Sequence, residues 1–264
     1  MMRSGAPGGR SFKPARIMQR VLDVDLDFFL HGVANDVDPK STKRLDAREY
    51  PPWTRDKTMS FLVDRCGLKA QLPGFAVENH GEVFGKWRSL IEAGRLHPPF
   101  HVTHVDAHGD LSMGEIGYKH VLTELVHLPP ERRPATAAAR VGDGDYLAHA
   151  IGCRWINDLD YVYNRGGGSD VHPYFWENFD RHCSTIRLAA LTEEDIQTLF
   201  SRETPTVTYG EPRVPLRQIR SEAYTSSAAF DLMFLAHSKP FTPAEADSLY
   251  VAIREQFIDE AALV

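Results

Sequence analysis

Three short segments of this 264-residue sequence hold acidic or histidine residues at close spacing. The segments are VLDVDLDFF at 21–29, ENHGE at 78–82 and HVDAHGD at 104–110. Carboxylates together with imidazoles are ligands that suit manganese, zinc or iron. The three segments therefore predict a metal site, provided that the fold brings them to one place.

The segment at 104–110 is the most specific of the three. An Asp-x-His-x-Asp spacing at the end of a strand directs oxygen, nitrogen and oxygen ligands into one cavity. We therefore interpret Asp106, His108 and Asp110 as metal ligands rather than as structural residues.

The segment at 21–29 has aspartates two residues apart among Val, Leu and Phe. Side chains alternate along a strand, so Asp23, Asp25 and Asp27 point to one face unless the strand ends among them. The apolar neighbours argue against a solvated edge strand, and three buried like charges require cations. His80, in the third segment, is as typical of a helix cap as of a ligand, and it gains weight only beside the other two.

The elements that must position these segments alternate between strands and helices, which predicts a three-layer α/β sandwich with a mainly parallel sheet. In such sheets, sites lie beyond the carboxyl ends of the strands. We predict strands at 21–29, 100–105, 159–163, 185–191 and 228–236. We predict helices at 82–93, at 146–157, from 192 onward and at 242–257, and a capping box at 242–245 begins the last of them. Residues 165–170 are predicted to form a surface loop.

Composition predicts an ordinary globular protein, with 42% hydrophobic and 25% charged residues. Residues 1–16 are rich in Gly, Pro, Ser and Arg and are expected to form a flexible tail, followed by a single domain over 17–264. There is no apolar stretch of membrane-spanning length and no secretory signal, so we expect a cytoplasmic protein.

The net charge limits the classes of partner that we expect. It is −6 and no basic stripe runs through the chain, which argues against nucleic acid and suits a small or cationic substrate. The three cysteines are widely spaced and odd in number, so we expect them to be reduced.

The motifs resemble those of a known superfamily, the arginases and related ureohydrolases. DAHGD at 106–110 is similar to their DAHxD signature, DLDFF at 25–29 to their aspartate pair, and Asn79-His80 to an earlier Asp-His. Through ENHGEVF, HVDAHGDL, GDYLAHAIGCRWI and DVDLDFF, the chain most resembles the peptide arginases, which convert arginine side chains of a ribosomally made peptide to ornithine. The resemblance covers 21–30 and 78–157 well and the C-terminal third loosely.

The order of the motifs differs from that of ordinary arginases, in which the aspartate pair follows DAHxD. A circularly permuted sheet would reconcile the two orders. The resemblance implies an arginase/deacetylase-like fold and two divalent cations, with manganese expected, that share a hydroxide able to attack the guanidinium carbon. It further implies one cation bound by His80, Asp106, Asp110 and Asp25, and a second bound by Asp106, His108, Asp25 and Asp27, with Asp106 and Asp25 bridging.

The reaction also needs carboxylates to orient the guanidinium and an acid to protonate the departing amine. Asp23, Glu78 and Asp145 are candidates for the first task, and His149 or Asp110 for the second. A packing role for His149 is an equal alternative, because its neighbours in the predicted helix are apolar. We expect structural or supporting roles for His101, His104 and His237.

Other functions stay open on the sequence alone. A mononuclear zinc deacetylase would use Asp106, His108 and one N-terminal aspartate without requiring His80 or Asp110. A phosphatase of the haloacid dehalogenase class would need a phosphate loop that we do not find. The remaining alternatives are a ureohydrolase of free arginine or another guanidino compound, and a peptide-binding protein that keeps the metal ligands without turnover.

Overall fold

The computed structural model describes residues 18–35, 37–38, 41–112, 116–168 and 170–263. The strands are β1 Arg20–Asp25, β2 Leu72–Val77, β3 Phe100–Val105, β4 Ile156–Tyr163, β5 Thr185–Ile186, β6 Val214–Arg220, β7 Leu232–Ala236 and β8 Ile258–Asp259. The α-helices are α1 Arg55–Ser60, α2 Glu82–Glu92, α3 Gly117–Thr123, α4 Arg133–Ala137, α5 Tyr146–Gly152, α6 Glu193–Phe200 and α7 Asp247–Phe257.

The strands form one eight-stranded sheet in the order β5-β6-β4-β3-β1-β7-β2-β8. All neighbours are parallel except β5 and β6. Apolar residues of α2, α3 and α5 pack in a core on one face, and those of α7 pack in a second core on the other. The α/β sandwich with a mainly parallel sheet is thus confirmed.

Four adjacent strands, β3, β1, β7 and β2, carry the segments that the sequence singled out. They run parallel, so their carboxyl ends meet at one edge of the sheet. This order places Asp25 at the end of β1 and Asp27 just after it beside the DAHGD segment after β3, although the two segments are about 80 residues apart in sequence.

The first predicted strand is shorter than expected. β1 ends at Asp25, and Leu26–Phe29 forms a 3-10 helix whose first turn is capped by the Asp25 carboxylate, which accepts from the backbone N–H of Asp27. The chain turns because that carboxylate offers an alternative to sheet pairing. Asp27 therefore approaches the sheet edge from a helix, not from the strand.

The predicted helix at 146–157 is also too long. α5 ends at Gly152, since Arg154 adopts a left-handed conformation with φ +60 and Ile156 already pairs in β4. The strands at 100–105 and 159–163 and the helix at 82–93 are confirmed, the last ending at Glu92.

Three predictions in the C-terminal third need correction. Only Thr185–Ile186 of 185–191 pairs as a strand, and the following apolar residues are buried by packing rather than by sheet formation. β7 begins at Leu232 instead of 228. The capping box at 242–245 is wrong, because the Thr242 hydroxyl donates to the carbonyls of His237 and Ser238 and the α-helix begins at Asp247. By contrast, the Thr192 capping box of α6 is present.

The strands β2, β6 and β8 were not predicted from the sequence. β2 has a Pro-Gly pair that is atypical of strands. A Cβ atom on Gly74 would lie 1.7 Å from the carbonyl oxygen of Met233, so β7 approaches too closely for any other residue. This contact between distant segments leaves no periodic signal.

The expectations from composition concern membrane spans, the cysteines and the N-terminal tail. In the described ranges, no helix is long and apolar enough to cross a membrane. Cys66, Cys153 and Cys183 are free thiols, as predicted. The tail at 1–16 lies outside the described residues.

Candidate metal centre

The predicted ligands come together at the carboxyl edge of β3, β1, β7 and β2. Asp25 is the last residue of β1, and Asp27 lies in the 3-10 helix that follows it. The loop after β3 contributes Asp106, His108 and Asp110. His80 lies between β2 and α2. All except His108 are buried.

One group of ligand atoms surrounds the Nδ1 atom of His80. This nitrogen lies 3.0 Å from Asp25 Oδ2, 3.0 Å from Asp106 Oδ2 and 3.1 Å from Asp110 Oδ2. Ligands about 2.1 Å from an octahedral cation are about 3 Å apart along each edge, so these spacings fit a cation between them.

The hydrogen-bonding state of these atoms supports the same conclusion. His80 Nδ1, Asp106 Oδ2 and Asp110 Oδ2 are all shielded from solvent and have no hydrogen-bond partner of acceptable geometry. Unpaired polar atoms in a protein interior cost free energy unless a ligand or ion satisfies them. The donor set thus fits a divalent cation at this position.

A second group of ligand atoms lies around His108. Its Nδ1 atom is 3.0 Å from Asp27 Oδ2 and 3.7 Å from Asp106 Oδ1. Asp106 directs one carboxylate oxygen to each group, which is the arrangement of a bridging ligand. Asp25 directs Oδ2 to the first group, while its Oδ1 accepts from the backbone N–H of Asp27 at 3.0 Å. Asp106 Oδ1 likewise accepts from a backbone N–H, that of His108 at 2.7 Å. Asp106 nevertheless belongs to both groups of ligand atoms, whereas Asp25 belongs to the first group, so the contacts support a bridge through Asp106 more directly than one through Asp25.

The pKa values of the cluster reflect carboxylates and imidazoles that are buried close together. Burial, and then the charges of Asp25 and Asp106, raise the pKa of Asp27 well above its ordinary value. Burial and the charge of Asp106 also raise the pKa of Asp110, to about 7. Burial opposes the charged form of His108, but Asp27 and Asp106 raise its pKa to about 12. Carboxylates held this close are stabilised in their ionised form by cations.

Behind the first group lies a hydrogen-bonded hub centred on Asp23. Its Oδ1 is 3.3 Å from His80 Nε2, its Oδ2 is 3.2 Å from His104 Nδ1, and Oδ2 also accepts a short hydrogen bond from the Tyr146 hydroxyl. Burial opposes the ionised carboxylate, but His80 and His104 hold the pKa of Asp23 below its ordinary value. A carboxylate that binds the distal nitrogen of a metal-ligating histidine fixes its tautomer and orientation.

Neighbouring groups orient the other ligands. The Ser238 hydroxyl donates a short hydrogen bond to Asp25 Oδ2, and His108 Nε2 lies 3.2 Å from the carbonyl oxygen of Ala34. His104 Nε2 lies 3.1 Å from the carbonyl oxygen of His108 and 3.3 Å from Asp106 Oδ2. His104 thus has the supporting position that the sequence suggested.

The remaining predicted site residues lie apart from the ligand atoms. The Glu78 side chain is 56% exposed and forms an ion pair of 2.7 Å with Lys239. His149 is fully buried, with Nε2 3.0 Å from His120 Nδ1 and Nδ1 3.0 Å from the Asp145 carbonyl oxygen. Asp145 Oδ1 accepts from the backbone N–H of Gly142. Their described contacts support structural roles for Asp145 and His149.

Two carboxylates near the cluster were not predicted. Asp143 is partly exposed, and its Oδ1 accepts from the backbone N–H of Gly81 at 2.8 Å, next to His80. Burial raises the pKa of Asp143, and the charges of His80 and Asp25 also act on it. Asp170, from the predicted surface loop, reaches the backbone of the DAHGD segment. Neither has a sequence signal beyond residue type, because both contacts join distant parts of the chain.

Comparison with known proteins adds no family assignment. No protein-family model matches the chain, and no curated protein matches it. The functional argument therefore depends on the geometry of the site and on the resemblance of the motifs.

Proposed function

We propose that this protein is a hydrolase dependent on two divalent cations that removes urea from arginine side chains of a peptide and leaves ornithine. The observation that carries the proposal is the arrangement around Asp106. One of its oxygens joins the unpaired His80 and Asp110 atoms, and the other faces His108 and Asp27. The similarity of the motifs to those of peptide arginases supports the reaction and the preference for manganese.

Bound cations would supply a water of lowered pKa that can attack the guanidinium carbon at neutral pH. The chain supplies the ligand frame: Asp106 spans both groups, and Asp23 holds the His80 ring so that Nδ1 faces the carboxylates. We assign Asp23 to this positioning role instead of to substrate binding, because it is fully buried and its oxygens are engaged.

A substrate guanidinium needs a carboxylate that it can reach. We assign this role to Asp143, which is partly exposed and uses Oδ1 to accept from Gly81, so that Oδ2 is the oxygen left for a guanidinium N–H. The His108 side chain is 23% exposed, whereas those of the other five ligands are 7% exposed or less, which suggests that substrate enters from the His108 side. A net charge of −6 suits a cationic peptide. The cytoplasmic location stays a prediction.

The test is urea release by manganese-loaded protein from an arginine-containing peptide and, separately, from free arginine. The Asp106→Asn variant removes one charge from the bridging position, and Asp158→Asn serves as a control on β4, away from the site. We expect urea from the peptide, loss of more than about 100-fold in Asp106→Asn, and little change in Asp158→Asn.

The other results would redirect the assignment. Urea from free arginine would indicate a small-molecule ureohydrolase. No urea from either substrate, with cations bound, would leave deacetylation or peptide binding without turnover.

A mononuclear zinc deacetylase is tested by His80→Ala. That reaction would use only the His108 group, so the variant should retain activity on an acetylated lysine peptide. Under the binuclear proposal, His80→Ala loses a cation and urea release falls. The unpaired His80 and Asp110 atoms favour the second outcome.

A further inference from the structure

Residues 161–168 and 170–172, which follow the middle of β4, contact the ligand loop 106–112 at several points. The Tyr161 hydroxyl donates to the carbonyl of Ala107 at 3.0 Å, and the backbone N–H of His172 donates to the carbonyl of Leu111 at 3.1 Å. The ligand loop is thus held by polar contacts from a segment about 60 residues away in sequence.

Asp170 makes the central contact of this segment. Its Oδ2 atom accepts from the backbone N–H of Gly109 at 2.8 Å and from that of Asp110 at 3.2 Å. Asp110 adopts a left-handed conformation with φ +51, which few side-chain-bearing residues occupy without support. The Asp170 carboxylate fixes the peptide groups on both sides of the Gly109 Cα atom, and so sets the direction from which Asp110 reaches His80 Nδ1.

Gly109 shows how closely the two segments fit. A Cβ atom at this position would lie 2.0 Å from Asp170 Oδ1, and the nearest atoms it would meet all belong to Asp170. The backbone of Gly109 is not in the left-handed region, so its own conformation would accept alanine. The requirement for glycine in the DAHGD motif therefore arises here from Asp170.

The Asp170 carboxylate is costly to place in this position. Its Oδ1 atom is shielded from solvent and has no hydrogen-bond partner. It also lies in a region already crowded with carboxylates, since it contacts the backbone of Asp110. An unsatisfied buried oxygen is not explained by fold stability, because a neutral hydrogen-bonding residue would cost less.

We propose that Asp170 is a positioning residue of the metal centre, which holds the Gly109-Asp110 backbone so that Asp110 can ligate a cation together with His80. This inference rests on the metal centre of the proposed function and not on its substrate. It concerns cation affinity, so it can be tested without urea release.

The experiment measures Mn²⁺ affinity by titration, with thermal unfolding of each metal-free variant followed by circular dichroism. Loss of a supporting partner of a metal ligand weakens binding by about 10- to 100-fold, which we expect for Asp170→Ala. Asp170→Asn keeps an oxygen acceptor and should recover most of this affinity. Asp180→Ala is the control, since Asp180 also accepts from a backbone N–H, that of His182, on the exposed side of the same chain region.

A double-mutant cycle with Gly109→Ala makes the test specific. In the wild-type background this substitution forces Asp170 aside, and we expect it to weaken Mn²⁺ binding about as much as Asp170→Ala does. In the Asp170→Ala background the clash is gone, so Gly109→Ala should add little. Visible absorption of the Co²⁺-loaded variants should show a changed coordination in the two single variants alike.

Four outcomes would overturn the inference. Wild-type affinity in Asp170→Ala would show that Asp110 needs no such support, and equal effects of Gly109→Ala in both backgrounds would show that Asp170 is not the reason for the glycine. If Asp170→Ala fails to fold, Asp170→Asn and Gly109→Ala carry the test, and tight binding by Gly109→Ala would refute it. Absence of Mn²⁺ binding by the wild type would refute the metal centre itself, and this inference with it.

Discussion

Two clusters of aspartate and histidine residues are built on β3 and its neighbours, and they differ in whether their buried polar atoms have partners within the protein. The first is the candidate metal centre at the carboxyl edge. The second, nearer the amino ends of β3 and β4, contains His101, Asp158 and Asp160. There His101 Nδ1 makes a short hydrogen bond with Asp158, His101 Nε2 lies 3.0 Å from Thr103 Oγ1, and Arg217 Nε donates to Asp160 at 2.6 Å.

The polar groups of the second cluster have their partners within the protein, since Arg217 compensates the charge of the buried Asp160 carboxylate. The first leaves His80 Nδ1 and one oxygen each of Asp106 and Asp110 unpaired. Residue composition does not distinguish the two clusters. The unpaired ligand atoms do, because the Asp106 and Asp110 oxygens lie 3.0 and 3.1 Å from His80 Nδ1, where one cation would satisfy all three atoms.

The largest expected difference is in cation binding by a matched pair of variants, His80→Ala and His101→Ala. Both remove a buried imidazole that contacts aspartates. We expect His80→Ala to weaken binding of one cation by more than about 100-fold and His101→Ala to leave both cations bound. Metal content after gel filtration and Mn²⁺ titration measure this. Equal loss in both variants would remove the distinction between the clusters.

The next effect is on stability when metal is added. Binding to the folded state alone raises the free energy of unfolding by about 2.7 kcal/mol at 100 times the dissociation constant for each site. We expect Mn²⁺ to raise the unfolding temperature of the wild type and of His101→Ala, and a chelator to reverse the increase. A smaller increase is expected for His80→Ala. No response in the wild type would argue against a cation between the unpaired atoms.

The third prediction concerns the stability of the second cluster. Removing the His101 imidazole takes a partner from the buried Thr103 hydroxyl and leaves Asp158 to the Asn157 side chain, so His101→Ala should lower the free energy of unfolding by about 1–3 kcal/mol. Urea denaturation of the metal-free protein provides the measurement. An unchanged midpoint would mean that these groups find other partners.

The smallest expected effect is a pH dependence within the second cluster. The hydrogen bond with His101 lowers the pKa of Asp158. Its ionised form thus stabilises the fold above the ordinary aspartate pKa of about 3.9, and this contribution is lost as the pH falls through the lower value of the folded state. The stability difference between the wild type and Asp158→Asn should therefore shrink on acidification from about pH 6 to about pH 3. A difference that stays constant would contradict the assignment.

The carboxyl edge was predictable because its signals are local. The alternation of aspartates in 21–29 and the DAHGD spacing identify ligand types, and apolar runs before them indicate strands. Strand 100–105 and the α2 helix were predicted nearly to the residue for the same reason. By contrast, β2 escaped prediction because the close approach of β7 to Gly74 overrides its poor strand composition.

The sequence by itself determined the class of fold and the kinds of ligand atoms that this protein can offer a cation. Only the tertiary structure decided that β1 lies between β3 and β7, that Asp23 stands behind His80, and that Asp170 holds the loop of Asp110. The reason is that residue type and strand periodicity are local properties of the chain. Strand order and side-chain partners depend on contacts between segments that are far apart in sequence, which one-dimensional patterns do not specify.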